Sequence, residues 1–264
     1  MEQSFNSTLF IRRTIHPLSK IRNFNMKLFS SALLMGALIA TSATAQKVNT
    51  LTSKEKKEGW KLLFDGKTTT GWHTYLQKDV SPAWKVTDGA LELDPAVQKS
   101  AGAPHGDLVT NDEYENFELS VQWKISEGGN SGIIFSVHED PQFKQTYLTG
   151  PEMQVLDDAK HPDGKITKHN SGDLYDLKKA PQNPAKPVGE WNQAKILKKD
   201  GKVTLWLNGV ETASVVIGSD EWKDMLAHSK FKTWPGFAQY AKGHIALQDH
   251  GHQVWYRDVK IHVL

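Results

Sequence analysis

The chain of 264 residues contains no cysteine. That absence excludes disulfides, a thiol nucleophile and a lipid-modified N-terminal cysteine, so stability must come from the core. A glycine-rich phosphate loop and a dinucleotide fingerprint are also missing, which removes nucleotide-dependent chemistry from the candidates. No His-x-x-x-His pair occurs, and no cluster of basic residues marks a nucleic-acid surface. No fixed-period repeat or low-complexity tract is present. The one sustained apolar stretch, Leu28 to Ala40, falls short of a membrane span.

That stretch has another explanation. Met26-Lys27 precedes it as a positively charged start, and Ala43-Thr44-Ala45 follows as a small-x-small cleavage signal before Gln46. The pattern is that of a secretory signal peptide. Residues 1–45 are therefore expected to be an upstream extension and leader, with Met26 as the start and 46–264 as a single mature domain in the periplasm or outside the cell. The full chain carries 32 Lys+Arg against 30 Asp+Glu; removing Arg12, Arg13, Lys20, Arg22, Lys27 and Glu2 leaves 27 against 29, a net charge of −2. Neither nucleic acid nor, after cleavage, a membrane is an expected partner.

Past the leader the signal is almost entirely β. Thr52–Trp60 predicts a short helix, capped by Thr52 or Ser53 with Glu55 as the capping-box partner. Phe117 to Ile125 alternates apolar and polar residues, as a half-buried antiparallel strand does. Hairpins are predicted across Thr87-Asp88-Gly89, Lys199-Asp200-Gly201 and Asn208-Gly209. Further strands are expected at 61–64, 132–137 and 152–156, a helical turn at 221–228, and a last hairpin of 245–248 with 254–263. Residues 158–189 form a long loop without periodicity, and loops of that length are usually functional. Many short strands with regular turns predict an all-β sandwich or jelly roll.

Candidate functional residues stand out against this pattern. In Glu152-Met153-Gln154-Val155-Leu156-Asp157, Glu152 and Gln154 share one strand face while Met153 and Val155 take the other. A core would not accept an unpaired carboxylate and amide, so the polar face is expected to floor an open cleft. Leu247-Gln248-Asp249-His250-Gly251 repeats the pattern with Gln248 and His250. Acid, amide and imidazole groups on two strands suit a polyhydroxylated ligand. Nine tryptophans, all beyond the leader, are compatible with stacking on sugar rings. His250-Gly251-His252 could chelate a metal, but isolated histidines are the simpler expectation, and no metal or other cofactor is assigned. A structural calcium ion is compatible with the fold, although no calcium-loop motif is present.

Several phrases together resemble one family. They are Asn130 to Phe135, Glu152 to Asp157, Ser171 to Asp176, Gly189-Glu190-Trp191-Asn192, Trp206 to Val210, Gly243 to Gly251 and Val254 to Ile261. In that order they are similar to the 3-keto-disaccharide hydrolase domain, a concanavalin A-like family abundant in exported Bacteroidetes proteins. The resemblance runs from about Gly59 to the C-terminus. It implies two curved antiparallel sheets in a concanavalin A-like jelly-roll sandwich. It also implies a hydrolase or lyase acting on sugars whose C3 hydroxyl has become a ketone. One departure is Ser136, where the family commonly has arginine.

A C3 ketone acidifies the C2 hydrogen, so a base can remove it and the C1 substituent can leave by elimination; addition of water completes a net hydrolysis. Glu152 and His250 are the candidate acid/base pair. Gln154 and Gln248 would orient hydroxyls or donate to the carbonyl. His169, Asp173 and Tyr175 would roof the cleft from the long loop, and Arg257 would bind a hydroxyl or carboxylate unless it pairs with Asp249 or Glu152. The substrate would be an oligosaccharide or glycoside, and a separate sugar 3-oxidase or dehydrogenase would have to supply the ketone. Two alternatives stay open at this point. A conventional retaining glucanase would pair Glu152 with Asp157 across a strand bulge. A noncatalytic carbohydrate-binding module would stack sugars on Trp72, Trp84 and Trp234.

Overall fold

The computed structural model describes residues 47–102 and 104–264; the expected leader, residues 1–45 with its start at Met26, lies outside the described residues. Along the chain come α1 (Ser53–Glu58), β1 (Lys61–Leu62), β2 (Trp72–Thr74), β3 (Trp84–Thr87), β4 (Ala90–Leu93), α2 (Pro95–Ala101), β5 (Leu108–Thr110), β6 (Phe117–Ile125), β7 (Asn130–Val137), β8 (Glu152–Leu156), β9 (Asn192–Lys199), β10 (Lys202–Leu207), β11 (Val210–Val216), α3 (Asp220–Ala227), β12 (His244–Leu247) and β13 (Val254–Val263). No helix among the described residues is long and apolar enough to cross a membrane.

The strands form two antiparallel sheets. One runs β11-β10-β9-β6-β13-β4-β3, with β1 also paired to β13; the other runs β2-β5-β12-β7-β8. This is the all-β sandwich that the strand pattern predicts, with the concanavalin A-like jelly-roll form that the family resemblance implies. On β6 the odd positions Phe117 to Ile125 are buried and the even ones half-exposed. Trp123, Tyr256, Phe135, Leu91 and Ile133 fill the space between the sheets. Ser131 on β7 bridges them with polar contacts, its hydroxyl lying 2.7 Å from the Tyr256 hydroxyl on β13 and donating to Gln248 O at 2.7 Å.

Local signals account for the edges of these elements. The Thr52 hydroxyl accepts the Glu55 N–H and the Glu55 carboxylate accepts the Thr52 N–H, which completes the capping box of α1. Asp88-Gly89, Asp200-Gly201 and Asn208-Gly209 all take positive φ, as two-residue hairpin turns of the primed type require. One expectation fails. β12 and β13 do not form a hairpin: β12 lies in the five-stranded sheet and β13 in the eight-stranded one. Residues 248–253 carry the chain from one sheet to the other, and that crossing places Gln248 and His250 beside the site.

Candidate active site

Three neighbouring strands of the smaller sheet build the floor. Gly132 on β7 pairs with Gln154 on β8, Ile134 pairs with Glu152, and Ile133 pairs with Leu247 on β12. Gln248, one residue past β12, donates its backbone N–H to Gly132 O at 2.9 Å. Gln154, Gly132 and Gln248 therefore lie in a row on the sheet face turned away from the sandwich core. Met153 and Val155 point the other way, into that core. Glu152 folds across Gly132 so closely that a Cβ at 132 would overlap its carboxyl oxygen Oε1. Glycine inside a strand often marks such a close approach.

Above this floor lies a cavity of about 300 Å³. Asn130, Glu152, Gln154 and Gln248 give it a polar base, with His250 at the rim; Tyr147, Tyr175, Phe231 and Trp234 give it aromatic walls. Asn130 Oδ1 and Gln248 Oε1 are buried without a hydrogen-bond partner, so each has an acceptor free for a ligand hydroxyl.

The walls come from two segments. Residues 172–175 extend the edge of β8: Gly172 N donates to Gln154 O, Gln154 N to Asp173 O, and Tyr175 N to Glu152 O at 3.0 Å. The last bond fixes Tyr175 beside Glu152 at the edge of the strand. The other segment follows α3. Ser229 caps the turn Lys230–Thr233 by accepting the Phe231 N–H, and Phe231 stacks on Phe237 at 3.9 Å. Asp176 ties the two segments together, accepting the Lys230 backbone N–H at 2.7 Å and contacting His169 Nε2 at 3.1 Å.

Glu152 is only 6% exposed and forms no hydrogen bond or ion pair with the described residues through its side chain. Burial pushes its carboxyl up to about 8; the Lys230 ammonium pulls the other way, and Asp107 and Asp163 add to the rise. Lys230 Nζ stands 4.1 Å from the centre of the Tyr175 ring. Partial burial lowers this ammonium below the usual lysine range, while Glu152 supports its charge. The site thus holds one carboxyl group that titrates near neutrality, faced by one cation.

A profile of the 3-keto-alpha-glucoside-1,2-lyase-like domain matches residues 59–262. The chain belongs to this family. A 3-keto-disaccharide hydrolase from Bacteroides thetaiotaomicron is 35% identical over 245 residues, covering 84% of each chain. A crystal structure from Parabacteroides distasonis, provisionally described as a glycosyl hydrolase, matches with a TM-score of 0.76 and 36% identity over 83% of this chain and 100% of that one. A second structure from the same organism, with the same description, gives a TM-score of 0.60 and 27% identity over 78% and 99% of the two chains.

Within this member of the family, the structure gathers Glu152, Gln154, Gln248, His250 and Tyr175 around one cavity. Three other candidates lie elsewhere. His169 sits behind Tyr175 with ring centres 4.3 Å apart, so it buttresses the wall without lining it. Asp173 is buried and accepts the backbone N–H groups of Asn170 and Ala180, which folds the loop. Arg257 belongs to β13 in the other sheet, donates to Gln122 and lies 3.9 Å from the centre of the Trp191 ring. It pairs with neither Asp249 nor Glu152, because its neighbour Tyr256 occupies the inward face.

The two alternatives lose their geometry here. Asp157 accepts N–H bonds from Gly128, Ala159 and Lys160 and lines a different cavity from Glu152. Among the described residues Glu152 is the only carboxylate lining its own cavity, whereas a retaining glucanase needs two. Trp72 and Trp84 are core residues whose indole N–H groups donate to Leu63 O and Gly106 O; of the three stacking candidates only Trp234 reaches the cavity. Asn130, Tyr147, Lys230 and Phe231 had not been singled out as site residues. Gly132 and Asn130 carried a signal, a glycine and an amide on a strand next to Glu152. Lys230 and Phe231 carried none, because a turn after a helix has no periodicity.

Proposed function

We propose that this protein is a carbohydrate-active enzyme that cleaves glycosides bearing a ketone at C3, with Glu152 as the base at C2. One observation carries the reading: a single, buried, unpaired carboxyl group with elevated proton affinity opens into a polar, aromatic-walled cavity opposite a lysine. The name of the Bacteroides relative and the family match support the substrate class. An exported location, expected from the leader, belongs to the same proposal, as does an upstream oxidising enzyme that supplies the ketone.

The chemistry balances without a redox partner. Ionised Glu152 takes the C2 proton, and the C2–H electrons form an enolate on the C3 oxygen. As the C3 carbonyl re-forms, the C1–O bond breaks, a C1–C2 double bond forms, the departing oxygen takes a proton from solvent at the cavity mouth, and Glu152 returns its own proton to solvent before the next turnover. Water then adds hydroxide to C1 and a proton to C2, giving the free 3-keto sugar. Lys230 and the amide groups of Gln154 and Gln248 favour the enolate charge. Asn130 and the aromatic walls hold the ring, and His250 faces a substrate oxygen at the rim. A base is most effective when its pKa lies near the working pH, and burial moves Glu152 into that range.

Incubation with a 3-keto disaccharide in heavy water tests the reading. Deuterium should appear at C2 of the released sugar, and the unoxidised disaccharide should stay intact. Cleavage of the unoxidised sugar, or release without deuterium, would overturn it.

The pH profile supplies a second check. The kcat/KM of the wild type should rise with pH through a midpoint near 8, as Glu152 ionises. Lys230 favours the ionised form, so Lys230→Met should move that midpoint upward and leave less base at neutral pH. An unmoved midpoint would separate Lys230 from the base.

A further inference from the structure

A second group of chemically active side chains meets the cavity at its rim and takes no part in the proton transfer at C2. His161 comes from the long loop, and His250 and His252 from the crossing between the sheets. Each offers a ring nitrogen, and the three nitrogens lie within 4.8 Å of one another. The ring centres are 6.0 Å apart for His161 and His250, and 5.6 Å for both other pairs. The His161 ring stands at 85° and 90° to the others, which are nearly parallel at 12°. We propose that His161, His250 and His252 form a binding site for one divalent transition-metal ion of the zinc class, with an open coordination position facing the cavity.

Two features point to a ligand. One is the convergence of three ring nitrogens from two separate segments of the chain. The other is His252 Nδ1, which is buried and has no hydrogen-bond partner, an arrangement that calls for an occupant. His161 Nδ1 accepts the Asp163 N–H at 3.1 Å and caps the turn Pro162–Lys165, which holds the ring in place.

The turn carrying the other two ligands is anchored from below. Asp249 Oδ1 accepts the Gly251 N–H at 2.9 Å, and Asp249 N donates to Asp107 at 2.7 Å. Nitrogens around one tetrahedral ion at bonds of about 2.0–2.1 Å stand roughly 3.3 Å apart, so side-chain rotation is enough to close the set.

The donor set defines the ion. Three imidazoles and no carboxylate suit zinc, cobalt, nickel or copper and disfavour calcium and magnesium. Three protein ligands leave a fourth position open, as in catalytic rather than structural zinc sites. His250 lines the cavity, so a bound ion would present that position to a sugar oxygen and polarise it. Only this last step rests on the 3-keto glycoside reading.

The test uses the untagged full chain, stripped of metal and titrated with Co²⁺ alone. A saturable visible d–d band should appear at one ion per chain, and Zn²⁺ should displace it. His161→Ala and His252→Ala should each weaken binding by at least about 10–100-fold, with circular dichroism showing that each variant folds. A missing band, or unchanged affinity in both histidine variants, overturns the site. A chain that binds Co²⁺ but leaves 3-keto disaccharide intact keeps this site and refutes the proposed function; deuterium at C2 in a chain that binds no ion does the reverse.

Discussion

Glu152→Gln should lower turnover of a 3-keto disaccharide by about 10²–10⁴-fold, the usual contribution of a positioned proton carrier, while substrate affinity changes little. Gln is nearly isosteric with Glu, keeps a carbonyl oxygen over Gly132 and cannot accept the C2 proton. The same substitution has a signature in stability. Burial raises the folded-state value of this carboxyl from 4.5 to about 8, so between those limits the folded chain holds a proton that the unfolded chain has lost. Stability linked to Glu152 is therefore full below about pH 4.5 and falls as pH rises towards 8. Glutamine does not titrate, so the variant should gain on the wild type across that window. Denaturant unfolding at pH 5 and pH 8 measures the difference. Unchanged turnover in Glu152→Gln would remove the base from the mechanism, and a pH-independent stability difference would show that the carboxyl is not protonated in the folded state.

The floor of this site was legible because β-structure has a period of two. Glu152 and Gln154 cannot face the core while Met153 and Val155 do, and the structure keeps that division on β8. The expectation that Arg257 binds a ligand, or pairs with Asp249 or Glu152, fails because the period of two gives no help there. Alternation says that a residue points away from its neighbours, but it does not say which sheet the strand joins, and β13 joins the sheet without the cavity. The expected last hairpin failed for a related reason. Residues 248–253 are as rich in polar and turn-forming side chains as a hairpin loop, yet they cross between sheets.

Residues that act from irregular segments were the hardest to read. Lys230 and Phe231 owe their positions to the Ser229 cap and to Asp176, more than fifty positions earlier in the chain, which accepts the Lys230 N–H. His161 meets His250 and His252 only because the long loop folds along the edge of β8, stitched there by Gly172, Asp173 and Tyr175. Contacts of such sequence separation have no local signature, whereas the capping box of α1 and the Asn208-Gly209 turn are complete within four residues.

Gly132→Ala should cost turnover about 10²-fold, the penalty expected when a reacting group is displaced by an ångström, and about 1–3 kcal/mol of stability from overpacking. Gly132 does not have a positive φ, so the residue is not required by backbone conformation; it is required by space. A Cβ there would meet Oε1, Cδ and Cγ of Glu152 and no other neighbour as closely. The carboxyl would have to swing off the floor, away from Lys230 and the amides of Gln154 and Gln248. Because the clash is with one side chain, the two positions should be strongly non-additive. In a Glu152→Ala background, Gly132→Ala should cost little stability, since the space above it is already empty. Unfolding free energies for the two single variants and the double variant complete the cycle. If Gly132→Ala is equally destabilising with and without the glutamate, the strain lies in the sheet itself; if it turns over at the wild-type rate, the carboxyl does not need its seat on Gly132 to act.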